Sequence, residues 1–133
     1  EAKDINGKDV SLSSFKGHYV FLEIWATWCA PCVKEVPFFM KLADKYRKKN
    51  INLVSISIDT NIDEWKSFVE KRHGEVIHLI DSRGFKSEIM KDYYFNGVPQ
   101  FMLFDPQGRI VNVKMPRPSD SRVEKHLDQI LNN

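Results

Sequence analysis

Cys29 and Cys32 are the only cysteines in this chain of 133 residues, and they stand three positions apart. That count excludes a disulfide framework, because a bridge stabilises mainly by closing a long loop in the unfolded chain and this pair closes almost none. A closed zinc site needs four ligands, and His18, His73, His78 and His126 are too scattered to complete one. All four histidines read as surface or turn residues with no motif around them. Covalent haem attachment requires histidine directly after the second cysteine, where Val33 stands. Two-electron thiol–disulfide exchange remains, with a chance pair as the alternative, and the flanking segments have to decide.

Before the cysteines, Tyr19 to Trp25 is rich in β-branched and aromatic residues and nearly continuous in hydrophobicity, the pattern of a strand buried on both faces. After them, Val36, Phe39, Met40, Ala43 and Tyr46 recur at helical spacing, with Lys34, Glu35, Lys41, Asp44 and Lys45 forming the polar face. The pair therefore falls where a strand turns into a helix. Pro31 suits a first helical turn, whereas Pro37 lies inside the helix and is expected to kink it. Tyr46 to Lys49 reads as a solvated helix end whose cations suit the C-terminal dipole.

Ile51 to Ile58 reads as a second buried strand. Asn61 with Glu64 three residues on predicts a capped helix carrying Ile62, Trp65, Phe68 and Val69. Val76 to Ile80 is a short apolar run, and Phe85, Ile89 and Tyr93 space a further helix ending near Asn96-Gly97. Phe101 to Phe104 and Ile110 to Val113 flank an Asp-Pro-Gln-Gly turn and predict a hairpin. Val123, Leu127, Ile130 and Leu131 space a closing helix. This order specifies an α/β domain with a mainly parallel sheet and antiparallel strands at its end.

The length suits a single domain spanning residues 1–133. With 42% hydrophobic and 12% aromatic residues it is globular, and its net charge of +2 gives no nucleic-acid or membrane footprint. No apolar run approaches the roughly 18 to 20 residues of a membrane span. The chain opens at Glu1 without Met or an apolar leader, so an upstream signal, anchor or domain is expected in the full-length protein.

Trp25-Ala26-Thr27-Trp28-Cys29-Ala30-Pro31-Cys32, followed by Glu35-Val36-Pro37, resembles the active-site segment of the thioredoxin superfamily. Tyr93-Tyr94-Phe95-Asn96-Gly97-Val98-Pro99 resembles its second signature, whose last proline follows a cis bond and faces the cysteines. The opening Asn6 to Gly17 is similar to the TlpA/ResA-like branch, with an N-terminal extension and an extra strand and helix in mid-domain, here Val76 to Tyr93. Gln100 and Ala30 depart from thioredoxin's usual threonine and glycine.

The resemblance implies a thioredoxin-like fold, a central mixed sheet flanked by helices, and a reductase of protein disulfides in the bacterial cell envelope, on the periplasmic side rather than in the cytoplasm. Cys29 is then the nucleophile, favoured as thiolate by the positive end of the helix, and Cys32 the resolving thiol. Glu23, an acid interrupting an apolar strand, is the proton acceptor and donor for Cys32; the alternative is a sheet-edge residue with its head in water. Trp28, Ala30, Pro31, Val98 and Pro99 form the substrate-binding surface, with the Val98 backbone pairing to an extended segment. Trp25 is read as packing. No metal or organic cofactor is needed, since the cysteine pair carries both electrons. The expected partners are protein disulfide or dithiol substrates and an upstream thiol reductant, with the chain acting as a monomer.

Two rivals differ in chemistry. A peroxiredoxin wants Pro and Thr or Ser before its cysteine, yet Ala26 stands three residues ahead of Cys29. A Cu(I)-binding dithiol module wants further soft ligands, and Met40 belongs to the helix core face.

Overall fold

The apolar run Tyr19–Trp25 becomes the strand around which the sheet is built in the computed structural model, which describes residues 2–132. Two short strands precede it, β1 (Ala2–Lys3) and β2 (Asp9–Val10), with a 3-10 turn at Leu12–Phe15; the central strand is β3. There follow α1 (Ala30–Lys45), β4 (Ile51–Ser57), α2 (Ile62–Glu70), β5 (Ile77–Ile80), α3 (Glu88–Asp92), β6 (Gln100–Phe104), β7 (Ile110–Asn112) and α4 (Ser121–Leu131). The seven strands form one mixed sheet in the order β2-β1-β5-β4-β3-β6-β7. β3, β4 and β5 are parallel, while β6 runs antiparallel to β3 and carries β7.

Side chains alternate along a strand, so Phe21, Glu23 and Trp25 share one face of β3, and Val20, Leu22 and Ile24 share the other. Phe21 meets Phe39 of α1 at 5.5 Å between ring centroids, and Trp25 meets Phe68 of α2 at 5.1 Å. Both crossover helices therefore lie on the Glu23 face, as two right-handed crossovers stepping the same way require. Val123 and Leu127 of α4 join Phe21 and Phe39 in the same cluster. The opposite face packs Leu22, Ile24, Val54, Ile56 and Met102 against Met90 of α3.

Three expectations are corrected. The helix predicted through Phe85, Ile89 and Tyr93 is a 3-10 turn at Gly84–Lys86 followed by the short α3, which ends at Asp92. Ser87 between them is extended (φ −61°, ψ 153°), and Gly84 sits at φ +65°, where a Cβ would stand 3.2 Å from Thr60 Cγ2. Tyr46 is buried at the end of α1, its hydroxyl donating to Asp128 at 2.7 Å, so only the cations after it form a solvated end. Glu35 is buried too, accepting the Ser119 N–H at 2.9 Å and the Ser119 hydroxyl at 2.8 Å, which ties the segment before α4 to α1. The Asn61 cap holds as expected, its side chain accepting the Glu64 N–H at 3.1 Å.

Candidate active site

β3 delivers the chain to the start of α1, and Cys29 occupies the N-cap of that helix in an extended conformation (φ −97°, ψ 104°). Its sulfur accepts the Cys32 N–H at 3.2 Å, one of the helix's unsatisfied donors. Pro31 in the first turn costs no hydrogen bond, and the helix continues through Pro37. Cys29 and Cys32 are joined as a disulfide with 5.2 Å between Cα atoms. The two cysteines differ in depth: Cys29 is 7% exposed and Cys32 is fully buried. Cys29 Sγ lies 3.7 Å from the Val98 carbonyl oxygen, beside the cis Val98–Pro99 bond that the second motif implied. Trp28, Ala30 and Pro31 are exposed around the disulfide, with Val98 and Pro99 half-buried. Gln100 turns its side-chain amide back to donate to the Gly97 carbonyl at 2.9 Å.

Asp59, just past the strand predicted over Ile51 to Ile58, is the clamp of this site. It is buried, and both of its carboxylate oxygens accept the Thr27 N–H, at 3.1 and 3.2 Å. It also accepts the Thr27 hydroxyl at 2.6 Å and the Ser57 hydroxyl. The Ile58 N–H donates to the Trp25 carbonyl at 2.9 Å. The end of β4 thus holds the Thr27-Trp28 turn that presents Cys29. No local signal marked Asp59, because its partner lies 32 residues away in sequence.

Glu23 is 2% exposed in the middle of the sheet, which removes the sheet-edge alternative. Burial pushes its pKa from 4.5 up to about 8; Ser55 beside it pulls down, and Glu35 on α1 pushes further up. Ser55 is near without hydrogen-bond geometry: Glu23 Oε1 and Ser55 Oγ are both buried with no partner among the described residues. Both residues line a small cavity closed by Val36, Phe39 and Met40 of α1 and Phe68 of α2. Cys32 lies four residues before Val36 on the same buried face of α1, so this cavity begins about one helical turn, ~5.4 Å, from the disulfide. Trp25 packs as expected, buried against Phe68.

His78 does not fit a surface or turn role: it is half-buried in β5, lines the same cavity, and has an unpartnered Nδ1. Burial, with the Arg72 cation second, lowers its pKa from 6.5 to about 4. Phe85 also departs from its expected core role: at 50% exposure it stands 6.0 Å from the Trp28 ring, itself 58% exposed, and the two form an apolar rim next to Cys29. Among the described residues no group of three His, Cys, Asp or Glu stands close enough to hold a metal ion, and no helix is long and apolar enough to cross a membrane.

Comparison with known proteins agrees with this geometry. A family model described as Redoxin matches residues 2–131. The thiol-disulfide oxidoreductase ResA of Bacillus thuringiensis subsp. konkukian is 32% identical over 127 residues, covering 96% of this chain and 72% of that protein. A crystal structure from Bacteroides vulgatus has a TM-score of 0.88 at 30% identity, covering 98% of this chain and 91% of that one. The thioredoxin domain of a thiol-disulfide oxidoreductase from the same organism has a TM-score of 0.83 at 28% identity, covering 98% and 91%.

Replacing Asp59 with alanine leaves the Thr27 N–H and the Thr27 and Ser57 hydroxyls without their buried acceptor and should lower the unfolding free energy by about 1–3 kcal/mol; a loss below about 0.5 kcal/mol in urea titration would contradict the clamp. For pH, the unfolded chain ionises Glu23 near 4.5 and the folded chain near 8, so stability falls as pH rises through that interval. His78 acts in the opposite sense below 6.5, where the unfolded chain binds a proton that the folded chain refuses down to about pH 4. From pH 6.5 upward Glu23 acts without it. In the disulfide form, stability should drop by about 2 kcal/mol between pH 6.5 and about pH 8.5, and Glu23→Gln should abolish the drop. An equal drop in the variant would assign it to another group.

Proposed function

Because the chain belongs to the redoxin family and is a thiol–disulfide oxidoreductase, we propose that it reduces disulfides in extended protein segments, with Cys29 as the attacking thiolate and Cys32 as the resolving thiol. The observation that carries this reading is the asymmetry of the pair: Cys29 stands at a helix N-cap beside the Val98 backbone and keeps a small exposed fraction, with Cys32 fully buried behind it. The dipole and free N–H groups at that cap favour negative charge on Cys29.

In the reduced enzyme the Cys29 thiolate attacks one sulfur of the substrate disulfide. A bond forms between Cys29 Sγ and that sulfur, and the other substrate sulfur leaves as a thiolate that takes a proton. Cys32 gives its proton to Glu23 and attacks Cys29 Sγ; the bond from Cys29 Sγ to the substrate breaks, and the second substrate sulfur leaves as a thiolate that takes a proton from solvent. Two electrons have then passed to the substrate, and the Cys29–Cys32 disulfide is closed. An upstream dithiol reductant reverses this step and restores the enzyme, so no organic cofactor or metal enters the cycle. A buried carboxyl with a pKa of about 8 suits the shuttle, since both of its protonation states are accessible near neutral pH. The exposed Trp28–Phe85 rim gives the substrate apolar contact, Ala30 and Pro31 flank the sulfur, and the chain at Val98–Pro99 offers backbone groups for strand pairing. The kinship with ResA proteins supports work in the bacterial cell envelope, outside the cytoplasm.

Reduction of a peptide disulfide by the two single-cysteine variants tests the roles. Cys29→Ser should be inactive and form no adduct, whereas Cys32→Ser should accumulate a mixed disulfide visible by mass spectrometry. An adduct held by Cys32 in the Cys29→Ser variant would reverse the assignment.

A further inference from the structure

Glu23, Ser55 and His78 occupy matching register positions on three adjacent parallel strands. Glu23 pairs with Ser55 across β3 and β4, and Ser55 pairs with His78 across β4 and β5. Neighbouring strands lie about 4.8 Å apart and in-register residues point to the same face, so the three side chains form a row about 10 Å long. The row lines the cavity under α1 and α2, whose volume of about 10 Å³ is near the smallest that holds one water. Four lining residues bring buried polar atoms with no partner among the described residues: Glu23 Oε1, Trp25 Nε1, Ser55 Oγ and His78 Nδ1. Buried polar atoms rarely go unsatisfied, and four on one small cavity are what a bridging water needs. One end of the row is sealed and the other is not, since Glu23 is buried at the centre of the sheet and His78 keeps part of its surface in solvent.

We propose that Ser55 and His78, with one water in the cavity they share with Glu23, form a proton path that connects the Glu23 carboxyl to solvent at β5. This inference rests on the reading of Glu23 as the proton shuttle. A shuttle that takes a proton from Cys32 in each turnover has to release it, and the Cys29 side is covered by substrate while the mixed disulfide exists. The proton moves from the Glu23 carboxyl through the water and the Ser55 hydroxyl to His78 Nδ1, as His78 releases one from its other nitrogen. Glu23 ends as the carboxylate, ready for the next proton from Cys32; the water, Ser55 and His78 each end with the number of protons they began with, one proton has passed to solvent, and no oxidant or reductant takes part. The charged and titratable groups around the row are few. Glu35 of α1 acts on Glu23 through its charge while its carboxylate is bound to Ser119, Cys32 lies one turn before Val36 on α1, Arg72 just past α2 acts on His78, and β6 contributes the apolar Phe101 opposite Glu23. Arg72 is held in place over Phe68, its guanidinium 3.5 Å from the ring centroid, and favours the neutral imidazole that such a relay requires. A neutral ring accepts at one nitrogen and donates at the other.

The test is the rate of peptide-disulfide reduction by wild type, His78→Ala, Ser55→Ala and Glu23→Gln from pH 6 to 9 in dilute buffer, with and without added imidazole. The path predicts at least about a tenfold loss for His78→Ala and Ser55→Ala near pH 7, and recovery of His78→Ala as imidazole rises, with no such dependence in wild type. A structural defect would slow His78→Ala without rescue, and that result overturns the path, as does a wild-type rate in His78→Ala. A wild-type rate and pH profile in Glu23→Gln would overturn the shuttle reading itself. A slow Glu23→Gln beside a fast His78→Ala would remove the path alone.

Discussion

A carboxyl group between Ser55 and Phe101 in the middle of a sheet can stay charged only at a cost of several kcal/mol. Glu23 meets that constraint by keeping its proton to about pH 8, and the surrounding structure is arranged around the consequence. Apolar residues of α1 and α2 shield it from bulk solvent, and the charge of Glu35 on α1 adds to the pressure for the neutral form. The helix that seals the carboxyl is the same one that begins at Cys29. Burial of the acid and presentation of the thiol are therefore one packing event: α1 cannot cover Glu23 without setting Cys32 one turn above the cavity and Cys29 at the helix N-cap.

The N-terminus of α1 needs a second restraint, because a turn of the type formed by Ala26 to Trp28 has few backbone bonds of its own. Asp59 provides it from the end of β4, where the parallel register ends at Trp25 opposite Ser57. The disulfide, the clamp and the Val98 backbone come from three segments, and the pairing of β3 with β4 and β6 brings them together. Phe85 from the irregular segment after β5 completes the rim that Trp28 begins.

What was legible in the sequence is what local chemistry writes there. Tyr19–Trp25 shows its burial in composition, Cys29 and Cys32 stand at a strand–helix junction, and the Asn61 cap and the hairpin turn carry their own residues. Glu35, Tyr46 and Asp59 escaped because their partners are 84, 82 and 32 positions away, and a polar residue in an amphipathic helix looks solvated until that partner is known. His78 escaped for the same reason on a larger scale: its environment exists only once three strands are in register. Phe85 has helical spacing to Ile89 and Tyr93, yet the extended backbone of Ser87 between them separates it from α3.

The central claim is that this dithiol gives electrons to protein disulfides. Equilibrating the protein with defined ratios of reduced and oxidised glutathione and reading the Cys29–Cys32 state by alkylation gives its midpoint potential. A reductase should lie near the thioredoxin value of about −270 mV, whereas a midpoint near the roughly −120 mV of a strong dithiol oxidant would contradict the account.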